Sequence, residues 1–134
     1  MDIRPYLFFD GRCEEALEFY KKAIGAKVGM LMHFKDAPDQ SMVTPASKDK
    51  VMHANVQIGD TSILVSDGHC TGKPSFQGFA LTINAKDEAE AEKMFGALVE
   101  GGQVTMPMAK TFFAKRFGML ADKFGVGWMV IVEQ

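Results

Sequence analysis

The sequence predicts an α+β fold built from two βαβββ modules. Three observations carry that expectation. One order of apolar periodicities occurs twice along the 134 residues, each predicted helix runs into glycine, and a stretch rich in Gly, Pro and Ser separates the two copies. A single βαβββ module covers one face of its sheet with its helix and leaves the other bare, so it is unstable alone in water. Two modules turned toward each other remove that problem, and the expected result is a curved mixed sheet around a pocket. Module one is expected at about 1–67, a connector at 68–77 and module two at 78–134.

The elements follow in order. Ile3 to Phe9, IRPYLFF, is a short apolar strand, and CEEALEFYKKAIGA then places Ala16, Leu17, Phe19, Tyr20 and Ile24 at helical spacing before Gly25 stops the helix. AKVGMLMHF, VMHANVQIG and TSILVSD read as three strands. The second copy opens with FALTIN as a strand and KDEAEAEKMFGALVEGG as a helix, acidic at its start and ending in glycines. QVTMPM, FAKRFGMLAD and WMVIVE complete it as strands. Asp36 to Lys50, with two prolines and scattered charge, has no core-facing period; a long mobile loop at the pocket mouth is expected.

Composition removes several function classes. The net charge is −2, acidic and basic residues are mixed, and no Lys/Arg-rich run occurs, which argues against nucleic acid or an anionic membrane as partner. The first residues carry charge at Asp2 and Arg4 and lack a long apolar segment, so neither a signal peptide nor a membrane span is expected. Cys13 and Cys70 have no ligand-like spacing and read as two reduced thiols in the cytoplasm. GHCTGK has one residue too few between its glycines for a phosphate loop, and Lys73 is followed by Pro74. GVG lacks the strand-to-helix setting of a dinucleotide fingerprint.

The pocket signal is strongest in the third strand. Along VMHANVQI the residues Met52, Ala54, Val56 and Ile58 point one way and His53, Asn55 and Gln57 the other, because strand side chains alternate. The apolar row is expected under the helix. The polar row faces either the pocket or water; in the pocket it offers hydrogen bonds to a polar ligand, with His53 the group there that titrates near neutral pH. Phe112, Phe113 and Phe117 supply aromatic surface, and Lys115 with Arg116 add positive charge, a combination that suits a planar or anionic ligand or serves ordinary packing and solvation. Trp128 either stacks on a ligand or fills the core. Asp67 and Asp122 are expected to hold turns. His33, His53, Asp67 and His69 could form a cluster for a divalent metal, although scattered histidines are more often structural.

The duplicated order, the FFDGRCEEALEFYKKAIGA opening and the DKFGVGW turn resemble the vicinal-oxygen-chelate superfamily, which includes glyoxalase I, bleomycin-resistance proteins and extradiol dioxygenases. MHANVQIGDTSILVSDG, GKPSFQGFALTI and DKFGVGWM resemble its PhnB-like branch across essentially the whole chain. The resemblance implies a divalent metal held by four side chains, one on the first and one on the last strand of each module. Those positions fall near Pro5, Leu64, Gly78 and Met129, where no side chain suits a hard or borderline cation. Loss of the metal site is therefore expected, and no cofactor.

Two functions remain open. One is a metal-independent protein binding a small organic, and in one form anionic, ligand, with a site drawn from His53, Asn55, Gln57, Phe112, Phe113, Lys115, Arg116, Trp128 and Met129. The other is a lyase or isomerase with a displaced metal or with His53 as general base. The resemblance also implies a homodimer. An apolar surface including Leu7, Phe9, Met129 and Ile131 is expected to be left for a second copy to cover.

Overall fold

The computed structural model describes residues 1–41, 43–68 and 74–134. Its elements are β1 (Tyr6–Phe8), α1 (Cys13–Ile24), β2 (Lys27–His33), a 3-10 turn at Phe34–Asp36, β3 (Val51–Ile58) and β4 (Thr61–Ser66), then β5 (Leu81–Asn84), α2 (Glu88–Leu98), β6 (Gln103–Ala109), β7 (Ala114–Ala121) and β8 (Gly127–Glu133). This is βαβββ twice. The chain divides into two compact units, Met1–Pro74 and Ser75–Gln134. No helix among the described residues is long and apolar enough to cross a membrane.

Each unit holds one four-stranded mixed sheet, ordered β1-β4-β3-β2 in the first and β5-β8-β7-β6 in the second. In both, the first and last strands of the module pair in parallel and the remaining pairs are antiparallel. The shared topology explains how two stretches of unlike sequence do the same job: what repeats is the alternation of apolar side chains, not their identity.

In the first unit α1 carries Ala16, Leu17 and Tyr20, all buried. It packs on β3, and Leu7, Ala54, Val56, Ile63 and Val65 of the sheet are buried with it. Glu14 and Glu15 lie in its first turn and Lys21 and Lys22 in its last, each favourable to the helix dipole. Gly25 ends it in the left-handed region at φ 69°, which costs glycine little; the Gly25 N–H then donates to the Lys21 carbonyl and the Ala26 N–H to the Tyr20 carbonyl.

The second unit follows the same plan. Asp87 caps α2 by accepting from the Glu90 N–H at 2.8 Å. Helix α2 packs on β7 and β8, burying Ala91, Phe95 and Leu98 together with Leu120, Trp128, Val130 and Val132. A Cβ on Gly118 of β7 would stand 2.5 Å from the Met108 sulfur and 2.9 Å from the Phe95 ring, so only glycine lets the helix approach there.

Strand β1 is shorter than the expected Ile3 to Phe9. Pro5 has no N–H to give the ladder; only its carbonyl joins, accepting from the Leu64 N–H at 3.1 Å. Leu7 and Phe9, expected on an open surface, are 2% and 1% exposed, whereas Tyr6 and Phe8 are 37% and 52% exposed. With four apolar residues in succession, hydropathy alone does not set which alternate pair faces the core. Described residues of the Asp36 to Lys50 loop form no α-helix or strand and are joined by local bonds, such as Lys48 N–H to the Thr44 carbonyl at 2.9 Å.

Candidate functional site

The site lies on the face of the first sheet opposite α1. Since Leu7, Ala54, Val56, Ile63 and Val65 are buried beneath the helix, alternation gives the other face to Tyr6 and Phe8 of β1, Leu64 and Ser62 of β4, and His53, Asn55 and Gln57 of β3. The register aligns them: Tyr6 is opposite Leu64, Leu64 opposite Asn55, Ser62 opposite Gln57 and Gln57 opposite Lys27.

A groove of about 470 Å³ opens at one end of this face, lined by Arg4, Lys27, Val28, Gly29, Met30, Asn55, Gln57 and Ser62. The charged side chains lining it are Arg4 and Lys27. Arg4 is paired with Asp2 at 2.7 Å across an exposed contact, and Lys27 is exposed. Between them, the Ser62 hydroxyl donates to Asn55 Oδ1 and the Gln57 amide donates to the Gly59 carbonyl at 2.8 Å. Toward the other end, the Tyr6 and Phe8 rings stack at 4.8 Å between centroids. Tyr6 also reaches over β4 to β3, placing its hydroxyl 2.8 Å from Nδ1 of His53. Burial raises the Tyr6 hydroxyl above its ordinary pKa, outweighing the neighbouring Ser66 side chain, which lowers it.

The candidates therefore divide. His53, Asn55 and Gln57 share one face with Arg4, Lys27, Tyr6, Phe8 and Ser62, five residues that sequence reasoning did not select. Phe112, Phe113, Lys115, Arg116, Trp128 and Met129 belong to the other unit. Phe112 is 94% exposed in the loop between β6 and β7, edge-on to Phe113, which in turn packs edge-on to Phe117. Arg116 turns to the helix side and pairs with Glu92 of α2. Trp128 is buried there too, its indole N–H donating to Asp122 at 2.9 Å. Lys115 is exposed, and Met129 faces away from the helix, where the Thr82 hydroxyl approaches its sulfur at 3.7 Å.

The strand pairing corrects two of the four positions expected for a divalent metal. The pairing sets Tyr6 beside Leu64 and Thr82 beside Met129, so the residue opposite Met129 is Thr82 rather than Gly78, which precedes β5 in a left-handed turn at φ 80°. Within the first unit the pair offers a phenol and an alkyl group, and within the second a hydroxyl and a thioether, none of them an imidazole or a carboxylate. Among the described residues no three His, Cys, Asp or Glu side chains group to hold an ion. Of the cluster expected from the sequence, the described members have separate partners: His33 contacts Glu14 at 2.5 Å, His53 contacts Tyr6, and Asp67 is buried against backbone N–H groups; His69 lies outside the described residues. Cys70 and most of the GHCTGK stretch also lie outside them.

Two helix-covered mixed sheets of βαβββ order define the class, the glyoxalase/bleomycin-resistance/dioxygenase fold. The chain is similar to a glyoxylase/bleomycin resistance protein/dioxygenase domain from Frankia sp. EAN1pec, with TM-score 0.64 and 14% identity over 100% of this chain and 93% of that one. Within that class it belongs to the PhnB-like family, whose model, described as 3-demethylubiquinone-9 3-methyltransferase, matches residues 1–131. It is 34% identical over 143 residues to Protein YjdN of Escherichia coli K12, covering all of this chain and 97% of that protein. It is also similar to protein PA1353 from Pseudomonas aeruginosa, with 40% identity, TM-score 0.88 and coverage of 100% and 98%. A PhnB protein from Bacillus cereus shares the fold at TM-score 0.81 and 23% identity, covering 98% and 99%.

Proposed function

We propose that the protein binds a small organic anion on the open face of its first sheet, without a resident metal or other cofactor. The observation that carries this reading is the groove of about 470 Å³ that joins Arg4 and Lys27 to the amides of Asn55 and Gln57, on the same sheet face as the stacked Tyr6 and Phe8 rings. An anionic head meets two cations and hydrogen-bonding side chains, and a flat apolar body meets aromatic surface. Methyl transfer, the activity in the family description, is not the reading favoured, because each sheet is mixed, with one parallel pair beside two antiparallel ones, and neither is the parallel doubly wound sheet that nucleotide-bearing donors commonly use.

Calorimetric titration with 2-naphthoate tests the proposal. The expected result is saturable binding, one per chain, weakened by Arg4→Ala together with Lys27→Ala; binding absent, or indifferent to both substitutions, overturns it. A lyase or isomerase using His53 as general base is the second reading, favoured by the place of that imidazole on the same face.

The proposal extends to a cytoplasmic homodimer with neither nucleic acid nor membrane as partner. Exposed apolar side chains on strands at the sheet edges support the dimer, Met30 on β2 and Val104 and Met106 on β6 being 51%, 46% and 44% exposed. Light scattering at micromolar concentration is expected to give twice the chain mass; a monomer overturns that part.

A further inference from the structure

The Tyr6–His53 contact assigns a chemical role to the histidine. A phenol has one proton to donate, and in a neutral imidazole one nitrogen donates while the other accepts. At 2.8 Å the Tyr6 hydroxyl and Nδ1 share one hydrogen bond, in one of two senses. The phenol O–H is the stronger acid of the two donors and the imidazole nitrogen the stronger acceptor, so the proton lies on the tyrosine side. Burial, which raises the hydroxyl above its ordinary pKa, keeps that proton in place at neutral pH.

We infer that Tyr6 is a positioning residue that holds neutral His53 as the Nε2–H tautomer, so that this imidazole donates a hydrogen bond to an acceptor atom of the ligand, a carboxylate or carbonyl oxygen, and does not act as a base. The ligand part of this inference rests on the binding proposal above and extends it: His53, two residues along β3 from the groove-lining Asn55 and beside the Tyr6 ring, offers a donor to a second acceptor on the ligand, apart from the anionic head at Arg4 and Lys27. It also decides between the two functional readings, because an Nε2 that carries its proton cannot remove one from a substrate.

Nitrogen-15 spectra of the imidazole side chains at pH 7.5 read the tautomer directly, with His53 identified by the resonance lost in His53→Gln. The wild type is expected to show the Nε2–H pattern at His53, and Tyr6→Phe to move it toward a mixture of the two tautomers. The Nδ1–H pattern in the wild type, or an unchanged pattern in Tyr6→Phe, overturns the assignment. In a second arm naphthalene-2,6-dicarboxylate, which carries an acceptor at each end, is expected to shift the His53 Nε2–H resonance and to bind about fivefold more weakly to Tyr6→Phe, the equivalent of roughly one hydrogen bond. Dicarboxylate that binds with no shift at Nε2–H overturns the donor role. Failure of both the dicarboxylate and 2-naphthoate to bind, beside a wild type in the Nε2–H form, overturns the binding proposal and upholds the tautomer.

Discussion

The indole N–H of Trp128 donates to Oδ2 of Asp122 across 2.9 Å, and the other carboxylate oxygen accepts from the backbone N–H groups of Phe124 and Val126 at 2.9 and 3.1 Å. Both residues are buried, at 2% and 3% exposure. One carboxylate thus closes the DKFGVGW turn and orients the first buried side chain of β8. Asp67 has the same kind of role in the first unit: Oδ1 accepts from Gly11 and Cys13 N–H and Oδ2 from Val51 N–H, tying the start of α1 to the start of β3.

Removing either carboxylate leaves several buried donors without it, each costing about 1–3 kcal/mol. Asp122→Ala and Asp67→Ala are each expected to destabilise the protein by about 3 kcal/mol or more, measured by urea unfolding. A loss below about 1 kcal/mol in either would show that water or rearrangement replaces the carboxylate.

Arg116 and Arg4 are expected to behave differently. Arg116 pairs with Glu92 on the helix side at a partly exposed contact, so Arg116→Ala is expected to cost under about 1 kcal/mol of stability and to leave 2-naphthoate affinity unchanged. Arg4→Ala is expected to weaken that affinity about fivefold, the scale of one hydrogen bond, and to lessen its salt dependence. Equal effects on binding from the two substitutions would contradict the placement of the site.

Cys13 is fully buried beside Asp67, and burial first, then the negative charges of Asp67 and Glu14, push its thiol well above the usual range. A raised folded-state pKa means that the folded chain retains the proton after the unfolded chain has lost it. The resulting stability is complete below about pH 8.5, the ordinary thiol value, and declines as pH rises beyond it, by at most about 1.4 kcal/mol per unit. In a Cys70→Ser background, Cys13→Ala is expected to flatten the fall in stability between about pH 8.5 and 10, followed by urea unfolding. Rapid alkylation of Cys13 in the folded protein at pH 8 would contradict its burial.

Most described residues from Ala37 to Asp49 are exposed, and apart from the bonds that join Lys35 to Lys48 and Asp49 their hydrogen bonds are local, such as the Gln40 side-chain amide to the Ala37 carbonyl at 2.5 Å. Such bonds open without breaking a core. Backbone amides there are expected to exchange hydrogen orders of magnitude faster than those of Val56 or Val130 on the central strands; comparable protection would identify the loop as part of the cooperative core.

The sequence by itself determined the repeated βαβββ order, because alternation along strands such as VMHANVQI and helical spacing in EEALEFYKKAI are local properties of the chain. Only the tertiary structure decided which alternate residues of PYLFF face the core, because four successive apolar side chains satisfy either phase and the packing against α1 selects Leu7 and Phe9. Packing in the second unit turned Arg116 to the α2 side and put Trp128 in the core, one of the two places expected for it. The meeting of Tyr6 with His53, 47 positions apart in the chain, depends on β4 being inserted between β1 and β3. That strand order follows from long-range pairing, and no local pattern in the sequence encodes it.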